Sequence, residues 1–157
     1  MYEHALRAAS AKAEDLGDVS LISRHDFEER STFTFRAKVP CLEYVSLLIE
    51  TAVILRANRA GRMYVGFERL SRMEYVADRF LRIADLSERL YVFGEPDWMP
   101  PRHPNLKAIK VRPEQKLARE WFLVVNSPSQ RVALVARDED GFDVPDLDER
   151  TFSALKT

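Results

Sequence analysis

Two carboxylates, Glu43 and Glu50, interrupt an otherwise apolar run over residues 42–55. On a helix of about 100° per residue they share one narrow stripe with Ser46. Their spacing of seven residues corresponds to about 10 Å along the helix axis, too far for two carboxylates that share a proton. Either this stripe faces water, or Glu50 lies in a buried pocket. A buried carboxylate requires a partner, such as the arginine Arg79.

Other reactive side chains do not form a recognisable catalytic set. Cys41 precedes the apolar run, where a helix dipole would lower a thiol pKa, but no histidine is near it in sequence to act as a base. A buried, inert thiol is the favoured interpretation. His4, His25 and His103 are far apart, and none has a second ligand at metal-binding spacing. The five glycines form neither a P-loop nor a dinucleotide fingerprint. We therefore predict no catalytic residue and no metal site.

The composition argues against several classes of partner. The chain has 157 residues, which indicates one domain, and its net charge is −1. Arginines over 56–89 alternate with acidic residues, which is typical of a mixed charged surface rather than a basic groove. We expect no direct binding of nucleic acid and no membrane span. No signal peptide is visible, and the single cysteine fits a reducing compartment, so a cytoplasmic location is predicted.

The first half of the chain is predicted to alternate helices with strands. The expected elements are a helix over 2–16 that stops at Gly17, a strand over 18–23, a helical turn over 23–30, a strand over 31–38, a core helix over 40–60 and a strand over 62–70. Ser71 and Glu74 have the spacing of a capping box, which predicts an amphipathic helix starting there.

The second half is predicted to be mostly strand. The expected elements are a strand over 90–93, a stiff proline-rich loop over 95–105, a strand over 106–111, an antiparallel hairpin of 121–125 with 131–136, an acidic loop over 138–148 and a final helix over 149–156. These elements predict an α/β fold. Its mixed sheet would have about five or six strands, with helices covering at least one face.

Aromatic residues cluster near the ends of two predicted strands. Phe67 and Phe93 lie close to the carboxyl ends of these strands, and Trp98 follows in the proline-rich loop. Ligands favour that edge of a sheet with parallel strands, so a pocket is one interpretation and plain core packing the other. Gly66, inside its strand, leaves room for close approach by backbone or ligand.

Several stretches together resemble the DICT domain, a sensory module of diguanylate cyclases and two-component systems. In order, they are residues 49–50, 65–72, 79–80, 91–94, 117–121 and 150–152. Two positions depart from the family pattern. Glu68 stands where glutamine is usual, and Arg79-Phe80 stands where an arginine–tyrosine pair is usual, so a hydrogen bond from that tyrosine hydroxyl would be absent.

The resemblance implies a non-catalytic signal-input domain of a bacterial or archaeal signalling protein. Such domains occur beside histidine kinases, diguanylate cyclases and helix-turn-helix modules. We expect a small molecule or partner to bind, but the resemblance implies no particular cofactor. The candidate ligand contacts are Glu50, Phe67, Glu68, Arg79, Phe93, Trp98 and Trp121. The alternative is a protein–protein interaction or homodimerisation module without a ligand pocket. Because no output module is visible, the chain either acts alone on a partner or is one part of a longer protein. Its abrupt end favours the second interpretation.

Overall fold

One mixed sheet of eight strands organises the molecule. The computed structural model describes residues 1–9, 11–56, 60–140 and 146–157. Its strands are β1 (Glu14–Asp18), β2 (Phe33–Lys38), β3 (Arg62–Arg69), β4 (Arg89–Glu95), β5 (Leu106–Lys110), β6 (Glu120–Asn126), β7 (Arg131–Asp138) and β8 (Thr151–Lys156). The α/β class and the mixed sheet are confirmed. The sheet has eight strands rather than the five or six expected.

Helices cover both faces of this sheet. They are α1 (Tyr2–Ala9), α2 (Arg24–Glu29), α3 (Val39–Arg56) and α4 (Ala77–Asp85), with short 3-10 helices at Leu70–Val76, Lys116–Arg119 and Leu147–Glu149. The main core lies between the sheet and the layer that contains α3 and α4. A smaller apolar cluster lies on the opposite face, beneath α1.

The strand order is β1-β2-β8-β7-β6-β3-β4-β5. β1 runs parallel to β2, and β3, β4 and β5 run parallel to one another. The five strands from β2 to β3 in this order pair antiparallel. The hairpin of β6 and β7 forms as predicted, and its turn is closed by Ser127, whose backbone N–H and hydroxyl both donate to the Gln130 carbonyl.

The long helix α3 follows the prediction closely. Pro40 lies in its first turn, where a missing N–H costs nothing. Its apolar residues Leu42, Val45, Ile49 and Val53 are almost completely buried, as a helix with apolar residues nearly all round requires. The helix is described as far as Arg56. Of its predicted continuation to residue 60, residues 57–59 lie outside the described residues, and Ala60 is in a turn.

The amino-terminal prediction is wrong beyond the first helix. α1 ends at Ala9 rather than at residue 16. The segment Glu14–Asp18, which was predicted to contain the end of that helix and the start of the next strand, forms the edge strand β1. Gly17 does not stop a helix: it has a φ of 68° at an irregularity in the pairing of β1 with β2. The expected strand over 18–23 is absent beyond Asp18. The helical turn near residue 26 does form, because the Ser23 hydroxyl caps α2 by accepting from the Asp26 N–H at 3.1 Å.

The carboxyl-terminal element is a strand, not the predicted helix. β8 lies in the interior of the sheet and pairs antiparallel with β2 and β7. Phe152 and Ala154 belong to the main core, whereas Leu155 faces the cluster beneath α1. Pairing on both edges and burial on both faces override the weak helical pattern of this short segment.

The predicted capping box at Ser71 does not form. The segment Leu70–Val76 is a 3-10 helix without a side-chain cap, and α4 starts only at Ala77. Ser71 instead donates its hydroxyl to Asp97 at 2.6 Å and its backbone N–H to the same carboxylate at 3.0 Å. Ser71 therefore ties the 3-10 helix to the proline-rich loop.

The space beside Gly66 is filled by an aromatic side chain. A Cβ atom at this position would lie 2.3 Å from Cε1 of Phe122, which is almost completely buried and packs against Phe93 at 5.4 Å between ring centroids. The space predicted to admit backbone or ligand is therefore occupied by a core ring.

We expect Gly66→Ala to destabilise the fold by about 1–3 kcal/mol, because the added methyl group overpacks a site whose ring cannot move freely. Urea denaturation followed by tryptophan fluorescence measures this loss. In combination with Phe122→Leu, which removes the clashing ring, the same substitution should cost clearly less. A Gly66→Ala variant as stable as the wild type would contradict the packing described here.

A candidate ligand-binding cavity

A cavity of about 680 Å³ opens on the face of the sheet that carries α3 and α4. α3 forms one wall, β3 and β6 form its floor, and Leu70–Val76 with α4 forms the opposite wall. The aromatic rings that line it are those of Tyr44, Phe67, Tyr75, Phe80 and Trp121. Its charged lining consists of Glu43, Glu50, Glu68, Arg72 and Arg79. We call it the Glu50 cavity. A volume of this size and a mainly apolar lining with a few polar groups are typical of small-molecule sites.

Glu50 is the most unusual group in this cavity. Its residue is 4 % exposed, and Oε2 lies 2.8 Å from Nε of Arg79. The Nε–H bond does not point at this oxygen, and neither atom has a hydrogen-bond partner among the residues that the structure describes. Burial raises the pKa of the Glu50 carboxyl to about 7, and the nearby Arg79 guanidinium only partly opposes that effect. The buried interpretation of Glu50 is therefore the one that the structure supports.

The two ends of the α3 stripe differ in environment. Glu43, two turns before Glu50, is exposed at the edge of the cavity. Burial, and to a lesser extent the charge of Asp148, raises the pKa of its carboxyl. Ser46, between them, is buried and accepts a hydrogen bond from the Trp121 indole N–H at 3.1 Å. This bond fixes the Trp121 ring against α3, and Trp121 also packs edge-on against Phe152 at 6.1 Å.

A buried ion network forms the far wall of the cavity. Glu68 is 6 % exposed and accepts from Arg150 at 2.8 and 3.2 Å, while Arg72 lies 2.7 Å from the same carboxylate. Arg150 also donates from Nε to Asp138 at 2.9 Å. Burial acts to lower the pKa of Arg150, but the two carboxylates outweigh burial and raise it. The network joins β3 to the ends of β7 and β8.

Glu68 has a backbone conformation that few side chains adopt. Its φ is 58°, and it lies at the irregularity in the pairing of β3 with β4 between Gly66 and Arg69. Such a conformation is costly outside glycine and persists only where surrounding contacts hold it in place. The two guanidinium partners provide those contacts and direct the carboxylate to the cavity wall.

The structure brings together five of the seven residues predicted from sequence. Glu50, Phe67, Glu68, Arg79 and Trp121 all line the Glu50 cavity. Phe67 packs edge-on against Phe80 of α4 at 5.2 Å, which makes it part of the cavity floor.

The other two predicted residues, Phe93 and Trp98, are not in the cavity lining among the described residues. Phe93 lies on the opposite face, in the cluster beneath α1, because it pairs in register with Gly66 rather than with Phe67. Trp98 packs against the main core. Phe93 and Trp98 are therefore separate from the five predicted residues that line the cavity.

Four further contributors were not among the residues predicted from sequence. Leu47 follows Glu43 by one helical turn on α3. It therefore lies beside the stripe of Glu43, Ser46 and Glu50, and helical spacing could have predicted it. Tyr75, which is 92 % exposed, and Arg72 come from the segment that was expected to be an amphipathic helix and forms a 3-10 helix instead. The pairing of Arg150 with Glu68 had no sequence signal, because 82 residues separate them.

Within the described ranges, Cys41 and the potential metal ligands are the remaining reactive groups to consider. Cys41 is buried, and burial raises the pKa of its thiol, which leaves it in the unreactive form. In the described ranges, no group of three or more His, Cys, Asp and Glu side chains could hold a metal ion. Of the helices in those ranges, none is long and apolar enough to cross a membrane.

Comparison with known protein families identifies the domain. The family model for DICT, the sensory domain in diguanylate cyclases and two-component systems, matches residues 41–139, more than half of the chain. The chain belongs to the DICT family. DICT domains are sensory and non-catalytic, and the match spans α3 to β7, the region that contributes the lining of the Glu50 cavity. No match was found among curated proteins or among solved structures.

Proposed function

We propose that this DICT domain is the cytoplasmic signal-input domain of a bacterial or archaeal signalling protein and that the Glu50 cavity binds its small-molecule signal. One observation carries the proposal: at the wall of a cavity of about 680 Å³, a buried carboxylate oxygen and a buried guanidinium nitrogen form an ion pair, and neither has a hydrogen-bond partner among the described residues. Such groups lower the stability of the domain unless a further molecule satisfies them.

The proposed output partner is a histidine kinase, a diguanylate cyclase or a helix-turn-helix module that regulates transcription. A ligand in the cavity would contact Glu68 and Arg72, and Arg150 joins Glu68 to the start of β8. A change in the position of Glu68 would therefore alter contacts at the carboxyl-terminal strand and could shift α3 and α4 against the sheet. Contacts between these residues support this route. A measured energetic coupling between the cavity residues and Arg150 would establish it.

The alternative is an interaction or homodimerisation module. Exposed apolar side chains support this alternative. Large hydrophobic residues with substantial exposed surface include Leu47, Leu55 and Tyr75. A module with a fully packed core has no need of a cavity of this volume, so we rank the ligand-binding function first.

A thermal-shift screen tests the ligand-binding function. A ligand at 100 times its dissociation constant contributes about 2.7 kcal/mol, which should raise the Tm by about 5–10 °C. The screen would cover nucleotides, flavins, tetrapyrroles and common metabolites, alongside a native mass spectrum that reveals a co-purified ligand.

Two matched variants locate any binding that the screen detects. Leu47→Trp adds bulk at the cavity, whereas Leu55→Trp adds the same side chain on α3 outside the described cavity lining. We expect the first variant to reduce the ligand-induced shift and the second to retain it. The proposal fails if no compound shifts the Tm and no ligand co-purifies, or if both variants respond equally.

A further inference from the structure

Oε2 of Glu50 and Nε of Arg79 form an ion pair without hydrogen-bond geometry, and neither atom has another hydrogen-bond partner among the described residues. Oε2 of Glu50 is an acceptor and Nε of Arg79 is a donor, they are 2.8 Å apart, and both are buried. A ligand that satisfies both must present a donor and an acceptor side by side, as an N–H next to a C=O does. An amine or a carboxylate alone would satisfy only one of them.

The charges around this pair favour a donor facing Glu50. Arg72 is ion-paired with Glu68, and Glu68 is also ion-paired with Arg150. The charged groups in that part of the wall therefore already have partners within the protein. Glu43, on the same stripe as Glu50, forms no ion pair within the described residues, which leaves an excess of carboxylate along α3. An anionic ligand would add to that excess, whereas a neutral ligand with an N–H group would not.

The walls around the pair indicate a flat ligand. Trp121 is fixed by its hydrogen bond to Ser46, and Phe67 is fixed by its edge-on contact with Phe80. Aromatic side chains held in this way pack favourably against planar rings. The cavity runs for about 10 Å along α3 between Glu43 and Glu50, which is enough for two or three fused rings.

We propose that the Glu50 cavity recognises a planar heteroaromatic molecule through a lactam edge, an N–H next to a C=O, with the N–H donating to Glu50 and the carbonyl accepting from Arg79. This inference rests on the proposed ligand-binding function and deepens it to a chemical class. The class includes oxidised purines, pterins and flavin-type rings, which share that edge.

A pair of matched probes tests the lactam edge. Quinazolin-4(3H)-one has the adjacent N–H and C=O, and 3-methylquinazolin-4-one has the same rings with the N–H blocked. Titration calorimetry on the full 157-residue chain would measure both affinities. We expect the unblocked probe to bind at least about tenfold more tightly, because the blocked probe leaves a buried carboxylate without a donor.

Variants at the pair assign that preference to its residues. Glu50→Leu should reduce the preference for the unblocked probe to about one, and Glu88→Gln, at an exposed pair with Arg62, should leave it unchanged. If Glu50→Leu does not fold, Arg79→Met tests the carbonyl side of the pair at a side chain that is 36 % exposed, and it should weaken binding of the unblocked probe, whose carbonyl then has no donor.

The outcomes separate the ligand class from the function. Equal affinities for the two probes, or a preference that survives in Glu50→Leu, would overturn the lactam assignment while the cavity remains a binding site. A ligand found by the screen that has no lactam edge, with neither probe bound, would overturn it as well. If neither the probes nor any compound of the screen binds, the proposed function fails together with this inference.

Discussion

Glu50→Gln is expected to make the domain more stable than the wild type at pH 8, by up to about 3 kcal/mol, and equally stable within about 1 kcal/mol at pH 5. The pKa of this carboxyl rises from an ordinary 4.5 to about 7 in the folded state. Below pH 4.5 both folded and unfolded states are protonated, and burial of the side chain carries no charge penalty. As the pH rises to 7 the unfolded state ionises first, so stability falls, and above pH 7 the full penalty applies.

The loss of a partner does not reverse this expectation. Breaking a buried ion pair is costly when the remaining charge stays buried, but the Arg79 side chain is 36 % exposed and can turn to water. Urea denaturation of both proteins at pH 5 and pH 8 measures the effect. The comparison is made between proteins that share every other charged group of the cavity lining, namely Glu43, Glu68, Arg72 and Arg79.

The matched control is Glu88→Gln, which removes an exposed carboxylate beside Arg62. Its effect should stay within about 0.5 kcal/mol at both pH values. A stability difference between wild type and Glu50→Gln that does not depend on pH would show that Glu50 is solvated in solution.

Arg150→Met is expected to destabilise the domain by about 3–5 kcal/mol. Arg150 is 3 % exposed and joins Glu68 to Asp138, whose side chains are 6 % and 2 % exposed. The substitution removes the guanidinium that these two buried carboxylates share, and it leaves only Arg72 to hold Glu68 in its unfavourable backbone conformation. Equilibrium unfolding at neutral pH measures the loss.

Arg36→Met is the control for this prediction. Arg36 contacts two carboxylates, Asp18 and Glu139, with a side chain that is 49 % exposed, so its removal should cost no more than about 1 kcal/mol. Adding Glu68→Gln to Arg150→Met should recover part of the stability, because one buried charge is then removed. Similar losses in Arg150→Met and Arg36→Met would be inconsistent with a buried network.

The long helix and the hairpin illustrate what local pattern can predict. The nearly continuous apolar run of α3 permits only a buried helix, and Pro40 marks its first turn. The strands β6 and β7 are rich in β-branched and aromatic residues and flank a short turn. In both cases the signal lies within about twenty residues and does not depend on the rest of the chain.

β8 and the amino-terminal segment illustrate where local pattern is insufficient. The six residues of β8 fit a strand or a helix about equally, and pairing with β2 and β7 decides between them. Glu14–Asp18 becomes a strand because β2 provides an edge for it. The pairing of β8 with β2 joins residues more than 100 positions apart, so no local window contains it.

The sequence by itself determined that Glu43, Ser46 and Glu50 share one stripe of a core helix, because helical geometry alone fixes which residues lie on a common side. The order of matching stretches also determined the DICT resemblance, which the family match confirms. Only the tertiary structure decided that Glu50 is buried beside Arg79, since α4 must pack across α3 to bring them together. It also decided that Phe67 faces the Glu50 cavity and Phe93 does not. Alternation along a strand separates its two faces, but the register between β3 and β4 assigns each ring to one of them.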